Sequence, residues 1–190
     1  MIIGLTGTIA SGKGTFSSYL KQKGFNYITL SDLVREEARK KGLEIQREIL
    51  QDIGNSMREK YGKGFWAKKA IEKINLNENW IIDGIRNLGE IEELGKVKGS
   101  IIIGIDAPED IRLRRLEKRN KSKEEGRKDS DPKAIEDMKR LEKRDRGFHE
   151  PEYGQQVLKC LELANFKIIN DSSLEEFYKK IDGVLGKIQK

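Results

Sequence analysis

Short apolar runs alternate with longer amphipathic stretches along this chain, and the alternation predicts its fold. The runs predict five strands, at residues 2–6, 25–30, 80–83, 100–106 and 166–169. Apolar residues that recur every three or four positions predict helices at residues 13–23, 31–42, 45–61, 65–74, 90–94, 108–119, 132–146, 153–164 and 174–188. Strands alternating with helices favour a parallel sheet with helices on both faces, a three-layer α/β/α fold.

Local signals refine these elements. Ser31 is expected to cap the second helix, and Gly84 is expected to end the third strand. The uninterrupted isoleucine run in residues 100–106 favours a central position, buried on both faces of the sheet. Ligands of such sheets bind beyond the carboxyl ends of the strands. One cleft is therefore expected among the loops at residues 7–15, 31–35, 83–86, 106–108 and 170–173.

The composition limits the class of protein. With 190 residues, no repeat and no linker-like stretch, the chain is expected to form a single domain over residues 1–190. No apolar run approaches the ~20 residues of a membrane span, and no signal peptide precedes the first strand. A cytoplasmic protein without membrane contact is therefore expected. The single cysteine, Cys160, excludes an internal disulfide, and both it and Trp66 are predicted to lie in the core.

The formal net charge of +6 has two explanations. One is a nucleic-acid partner, and the other is a site that neutralises several phosphates. Lysines beside glutamates at helical spacing are typical of a solvated helix face, and the aromatic-basic interleaving of RNA-binding sheets is missing from the sequence. A small-molecule acceptor is therefore favoured, nucleic acid stays open as a partner, and a monomer or small homo-oligomer is expected.

The stretch from Ile2 to Thr15 carries the strongest chemical signal. A short strand is followed by Gly7, four further residues, the run GKGT and a helix-compatible stretch. This order is the P-loop (Walker A motif), in which backbone N–H groups and a helix N-terminus surround a di- or triphosphate while a lysine adds positive charge. ATP is the expected cofactor, and the residues predicted to bind its phosphates are Gly7, Thr8, Ile9, Ala10, Ser11, Gly12, Lys13, Gly14 and Thr15.

One departure from the P-loop consensus concerns magnesium. The usual motif places Ser or Thr directly after the lysine as a Mg²⁺ ligand, whereas here Gly14 stands there and Thr15 follows one residue later. Mg²⁺ is therefore expected to be held mostly by phosphates and water, with Thr15 as a weak ligand. A carboxylate elsewhere must orient those waters. Asp83, which follows the buried run Trp80-Ile81-Ile82, is the predicted one.

Two loops carry arginines that suit an acceptor phosphate. Arg35 lies one helical turn after Asp32 in the run SDLVR, and Arg86 follows Asp83 in the run IIDGIR. A guanidinium group can bind a phosphate with two parallel hydrogen bonds. Asp32, Arg35 and Arg86 are therefore predicted to bind the acceptor, within a helical region at about residues 31–75.

A further set of arginines is expected to act on the transferring group. The charged segment at about residues 120–131 is predicted to be a short mobile lid. Phosphoryl transfer needs positive charge around the transferring oxygens and exclusion of water, which an arginine-bearing lid supplies. Arg144 is an additional candidate for acceptor binding. The predicted catalytic residues are Lys13, Asp32, Asp83, Arg115, Arg119 and Arg127.

The order of these motifs resembles a known family. The runs GTIASGKGT, SDLVR, IIDGIR and IDAP, followed by Arg115 and Arg119, are similar to the nucleoside monophosphate kinases, adenylate kinase above all. The opening GLTG and the segment RKDSDP resemble dephospho-coenzyme A kinases and, more closely, the adenylate-kinase-related proteins of archaea. The resemblance covers nearly the whole chain. It implies a P-loop NTPase fold with ATP phosphates on residues 7–15 and Asp83 near magnesium. It also implies that Arg35 and Arg86 bind the acceptor phosphate, and that the transferring group is bound by Arg115, Arg119 and Arg127.

The chain departs from adenylate kinase in two ways: the P-loop lacks that family's proline, and the lid is short. Trp66 and residues 46–64 have no clear counterpart in that family, which leaves the acceptor open. Asp32 separates two mechanisms. A phosphate acceptor is already anionic, so Asp32 would only orient or cap, whereas a ribose hydroxyl, as in dephospho-coenzyme A, needs a carboxylate to take its proton.

The arginines favour the phosphate acceptor. The predicted activity is transfer of the γ-phosphate of ATP to a small nucleotide, a nucleoside or deoxynucleoside monophosphate. Two alternatives stay open: kinase transfer to a ribose hydroxyl, and a P-loop ATPase acting with a nucleic-acid or ribonucleoprotein partner. ATP and GTP both stay open as the donor.

Overall fold

A computed structural model describes residues 1–121 and 135–188 of the chain. The strands within these ranges are β1 (Ile2–Gly7), β2 (Asn26–Thr29), β3 (Trp80–Ile85), β4 (Ser100–Asp106) and β5 (Phe166–Ile169). The helices are α1 (Lys13–Gln22), α2 (Leu30–Lys40), α3 (Arg47–Tyr61), α4 (Phe65–Glu72), α5 (Leu88–Gly95), α6 (Glu109–Lys121), α7 (Ile135–Arg146), α8 (Val157–Glu162) and α9 (Leu174–Ile188).

The strands form one parallel sheet in the order β2-β3-β1-β4-β5. The predicted α/β fold is confirmed. β4 is internal, between β1 and β5, but it is not the central strand. That position belongs to β1, all six residues of which are buried. Gly4 allows this close packing, because a Cβ atom there would lie 2.6 Å from side-chain carbons of Ile102 and Leu94.

The core lies in two layers, one on each face of the sheet. Successive residues of β1 point to opposite faces, so Ile2 packs with α2 to α5 while Ile3 and Leu5 pack with α1 and α9. Trp66 and Cys160 are both buried in the first layer, as predicted. The indole N–H of Trp66 donates to the carbonyl oxygen of Gly54 on α3 at 3.1 Å, so this buried donor has a hydrogen-bond partner.

Two of the local predictions are wrong. Ser31 does not cap α2, because Thr29 in extended conformation precedes the helix and its side chain accepts a hydrogen bond from the Ser31 N–H at 3.2 Å. Gly84 does not end β3, which continues to Ile85. The register shifts at this point and Gly84 has a φ of 90°, so the glycine forms a β-bulge near the end of the strand.

The predicted lid lies largely outside the described residues. Residues 120 and 121 end α6, and the structure describes the chain again from Ile135, the first residue of α7. The expected start of that helix at Pro132 therefore also falls outside. No helix within the described ranges is both long and apolar enough to cross a bilayer.

Candidate functional site

The predicted P-loop joins β1 to α1 in a conformation that requires glycine. Gly7 and Gly12 have φ values of 148° and 110°. A Cβ atom at Gly7 would lie 2.0 Å from the carbonyl oxygen of Ile105. Gly12 is the N-cap of α1, and no side chain caps the helix. The first N–H groups of α1 therefore have no side-chain competitor for a phosphate.

Lys13 begins α1 and reaches back over the loop. Its Nζ donates to the carbonyl oxygens of Gly7 at 2.6 Å and Thr8 at 2.8 Å. Burial lowers the pKa of Lys13 to about 8, and the nearby carboxylate of Asp83 offsets part of this effect. An ammonium group that has lost much of its water is strongly stabilised by an anion, so the loop is suited to a phosphate.

Side chains from other loops fix the P-loop. Thr8 Oγ1 donates to Asp106 Oδ1, at the end of β4, at 2.6 Å. Asn170, directly after β5, donates its Nδ2–H to the carbonyl oxygen of Ser11 at 2.8 Å. Arg115 of α6 donates to the same oxygen at 3.4 Å. Two of the loops expected around the cleft therefore contact the P-loop, and Arg115 lies beside it.

Asp83 lies in β3, beside the strand that leads into the P-loop. It pairs in register with Leu5 of β1 and is 2% exposed. Tyr27 of β2 donates its hydroxyl hydrogen to Asp83 Oδ2 at 2.8 Å. Among the described residues Oδ1 has no hydrogen-bond partner, so it is suited to accept a hydrogen bond from Mg²⁺-bound water.

The donor set fits a Mg²⁺ ion held through phosphates and water. The residues that the structure describes contain no group of three or more His, Cys, Asp or Glu side chains placed to hold a metal. Mg²⁺ commonly keeps several waters and is bound by one or two carboxylates together with substrate phosphates. Among the described residues, Asp83 and Asp106 both lie beside the P-loop. Asp106 Oδ1 already accepts hydrogen bonds from Thr8 and Ala107, whereas Asp83 Oδ1 has no partner there, so Asp83 is the better candidate.

A cleft of ≈ 470 Å³, open to solvent, lies between α2, α3 and the end of β3. Arg35 and Arg86, predicted from the sequence to bind the acceptor, both line it. Leu30, Val34 and Leu50 supply apolar wall. The polar side chains in the lining are Ser31, Arg35, Arg47, Gln51, Arg58, Arg86 and Gln155.

Two of the cleft arginines, Arg58 and Arg35, pair with different carboxylates. Arg58 Nε donates to Glu90 Oε1 at 2.8 Å, and both side chains are almost fully buried. Arg35 Nη1 donates to Asp32 Oδ1 at 3.0 Å, with 7% of the Arg35 side chain and 60% of the Asp32 side chain exposed. Asp32 is not one of the residues that line the cleft. It holds Arg35 from the solvent side.

The other two arginines, Arg47 and Arg86, share the carboxylate of Asp145. They donate to its Oδ2 at 2.7 and 2.6 Å, while Gln51 Nε2 donates to its Oδ1 at 2.8 Å. Burial would raise the pKa of Asp145, but the guanidinium groups of Arg86 and Arg47 hold it far below its usual range. The same three charged groups also act on the pKa of Lys13, so the cleft lies within electrostatic range of the P-loop.

The remaining predicted arginines are placed differently. Arg119 lies one turn beyond Arg115 along α6. Arg144 on α7 donates to Glu150 at 2.8 Å and to Asp52 at 2.9 Å, and it is not one of the residues that line the cleft. Arg127 lies outside the described residues.

Four residues at the cleft are not among the site residues predicted from the sequence: Arg47, Gln51, Arg58 and Asp145. On α3 a signal exists: Arg47, Gln51, Gly54 and Arg58 are spaced by four, three and four residues and therefore share one face of the helix. The apolar residues of this segment recur every four positions and predict the helix. The second set, on its own face of the helix, lines the cleft. Asp145 has no comparable local signal, because its arginine partners lie far away in the sequence.

Comparison with known proteins gives the family. The AAA domain family matches residues 3–147 of the chain. The UPF0200 protein of Sulfurisphaera tokodaii is 41% identical over 187 residues, which cover 98% of this chain and 97% of that protein. The chain belongs to the UPF0200 family. A UPF0200/UPF0201 protein of Archaeoglobus fulgidus is 32% identical over all of this chain and 56% of its own length.

Solved structures of similar fold include several kinases. Shikimate kinase from Aquifex aeolicus has a TM-score of 0.53 and 20% identity, over 98% of this chain and 96% of that chain. A putative kinase from Chloroflexus aurantiacus has a TM-score of 0.60 and 16% identity, and the match covers 97% of this chain and 96% of that chain. Dephospho-CoA kinase from Campylobacter jejuni has a TM-score of 0.50 and 18% identity, and the match covers 98% of this chain and 96% of that chain. At these identities the likeness shows the fold alone, and the predicted P-loop kinase fold is confirmed.

Proposed function

We propose that this protein is an ATP-dependent kinase that transfers the γ-phosphoryl group to a small nucleotide, a nucleoside or deoxynucleoside monophosphate. One observation carries the proposal: the arginine-lined cleft reaches the end of β3 at Gly84 and Arg86, and β3 pairs directly with β1, the strand that leads into the P-loop. Transfer between two phosphates needs two such positively charged subsites side by side. The kinase fold of the structural neighbours supports the same reading.

In this mechanism the N–H groups of the P-loop and Lys13 bind the β- and γ-phosphates. A bound Mg²⁺ would supply further positive charge at the donor phosphates. Asp83 Oδ1 accepts a hydrogen bond from a water of the donor site, while Arg35 and Arg86 orient the acceptor phosphate. Neutralisation of the transferring group is assigned to Arg115, Arg119 and Arg127.

The geometry around Asp32 supports a phosphate acceptor. Its carboxylate already accepts a hydrogen bond from Arg35 and lies outside the residues that line the cleft, so an orienting role suits it better than proton abstraction. A second candidate is transfer to a ribose hydroxyl. The observation in its favour is that the Asp32 side chain is 60% exposed just after β2 and could reach a hydroxyl at the mouth of the cleft.

A coupled assay of ADP release tests the proposal. Purified protein is given ATP and Mg²⁺ with each nucleoside monophosphate, each deoxynucleotide and dephospho-coenzyme A in turn. We expect ADP formation that depends strictly on one small class of acceptor and is abolished by Lys13→Ala. ADP formation that needs no acceptor and rises on addition of RNA would refute the kinase and favour the ATPase.

The Asp32→Asn variant then separates the two acceptors. With a phosphate acceptor most of the rate should survive, because no proton has to be removed. With a hydroxyl acceptor the rate should fall by about 10² or more, which is the usual effect of losing a general base.

A further inference from the structure

Arg47 and Arg86 converge on a single oxygen atom. Arg47 Nη2 and Arg86 Nη1 lie 2.7 and 2.6 Å from Oδ2 of Asp145. The two guanidinium nitrogens are therefore no further apart than the sum of these two distances. Like charges this close repel each other strongly where water is scarce, so the arrangement depends on the carboxylate between them.

The carboxylate of Asp145 is itself firmly held. Its side chain is 2% exposed, and its second oxygen accepts from Gln51 at 2.8 Å. Three residues earlier on α7, Glu142 forms a buried ion pair with Arg112 of α6, and this fixes the helix that carries Asp145. A ligand that displaced this carboxylate would have to break its hydrogen bonds to Arg47, Arg86 and Gln51. Asp145 is therefore a fixed part of the wall.

Both arginines also face the cleft. Each guanidinium group carries five N–H donors, one of which donates to Asp145 Oδ2. Each of the two arginine side chains also keeps 17% of its surface exposed and lines the cleft. A phosphomonoester is a tetrahedral dianion with three terminal oxygens, so it can accept hydrogen bonds from two guanidinium groups at once.

We propose that Arg47 and Arg86 form one clamp for the phosphomonoester group of the acceptor, and that Asp145 is the positioning residue that sets the distance between them. The proposal rests on the proposed kinase function for the identity of the acceptor. The proposal adds Arg47 to the acceptor site. It also links the clamp to α7, because Asp145 of that helix contacts both arginines. In the sequence, α7 follows the predicted lid.

The test is a measurement of phosphate binding. AMP-PNP and Mg²⁺ are kept in excess so that the P-loop is filled, and inorganic phosphate is titrated into the full-length protein by calorimetry. The proteins are wild type, Arg47→Gln, Asp145→Asn and the double variant. We expect each single variant to weaken phosphate binding by about tenfold or more, as for loss of a charge-assisted hydrogen bond. The double variant should be much less impaired than the product of the two effects, because Asp145 acts through Arg47.

A matched control is Glu48→Gln. Glu48 pairs with Arg140 across the same two helices, α3 and α7, but both side chains are at least half exposed and neither lines the cleft. This variant should bind phosphate like wild type, and all variants should bind AMP-PNP like wild type. Weaker phosphate binding by Glu48→Gln would assign the effect to a loosened contact between the helices and overturn the proposal.

Other outcomes decide as clearly. Unchanged phosphate binding by Asp145→Asn would remove its positioning role, and tighter binding would make Asp145 a competitor of the ligand. If Asp145→Asn does not fold, Asp145→Glu replaces it. This variant keeps the charge but moves the carboxylate by one methylene, so it too should weaken binding, and wild-type binding would overturn the proposal.

The measurement does not depend on turnover. If the variants follow the expected pattern while no acceptor is phosphorylated, the kinase proposal fails and the clamp stands. If an acceptor is phosphorylated and the four proteins bind phosphate alike, the clamp fails and the kinase stands.

Discussion

The buried ammonium group of Lys13 should make nucleotide binding and stability respond to pH in opposite directions. Its pKa in the ligand-free protein is lowered from 10.5 to about 8, chiefly by burial. Bound phosphates would favour the charged form, so we expect the protonated protein to have the higher affinity for ATP–Mg²⁺. Raising the pH through 8 therefore removes the binding-competent form.

The size of the effect follows from the pKa. Between pH 7 and 9 the protonated fraction of a group with this pKa falls about tenfold, so the affinity for nucleotide should fall about tenfold, or about 1.4 kcal/mol. Stability should change with the opposite sign. The unfolded lysine keeps its pKa of 10.5, so between the two pKa values the unfolded chain binds more protons than the folded one. The contribution of this lysine to the free energy of unfolding therefore rises by about 1.4 kcal/mol from pH 7 to 9.

The assay compares wild type with Lys13→Met, which has no group to titrate at this position. Calorimetric titration with AMP-PNP and Mg²⁺ gives the affinity at pH 7, 8 and 9, and urea unfolding of the ligand-free proteins gives the stability at the same pH values. The expected result is a falling affinity for wild type and a rising stability difference between wild type and variant. A wild-type affinity that is flat over this range, or a stability difference that falls, would show that Lys13 does not titrate near pH 8 in the folded protein.

Three further predictions concern the loop, the carboxylate and the core. Asp83→Asn should lower Mg²⁺-dependent turnover by about 10² while leaving the affinity for metal-free nucleotide, measured by calorimetry, intact. An equal loss of turnover and of metal-free nucleotide affinity would argue against a role at the metal. Gly14→Ser should change the free energy of unfolding by less than about 1 kcal/mol, because a Cβ atom there meets nothing within 4 Å. Gly7→Ala should destabilise by about 3 kcal/mol or more, since its Cβ atom would lie 2.0 Å from Ile105 O; similar urea midpoints for the two variants would contradict this. Burial raises the pKa of the Cys160 thiol, so a thiol reagent should label it only in urea, and rapid labelling of the folded protein would show that the site opens.

The elements that the sequence predicts well are those specified by neighbouring residues. β4 and β5 have the predicted bounds because each is a short apolar run between polar turns. The P-loop is recognisable because its glycines and Lys13 are adjacent in the chain. The bulge at Gly84 is different, since it depends on the pairing register between β1 and β3, which no local pattern encodes.

The site shows the same division. Arg35 and Arg86 each belong to a short motif, and both line the cleft. Asp145 holds Arg47 and Arg86 across 98 and 59 positions. Such a contact follows from the packing of α7 against α3 and the end of β3. Residue spacing within a segment cannot show contacts between segments that only tertiary packing brings together, so it misses the role of Asp145 at the arginine-lined cleft.

The most direct test of the central claim is a crystal structure with AMP-PNP and Mg²⁺ bound. We predict that the triphosphate lies in the loop at residues 7–15, and that Lys13 Nζ has exchanged the carbonyl oxygens of Gly7 and Thr8 for phosphate oxygens. An empty loop at saturating nucleotide, with Lys13 still bonded to those two carbonyls, would contradict it.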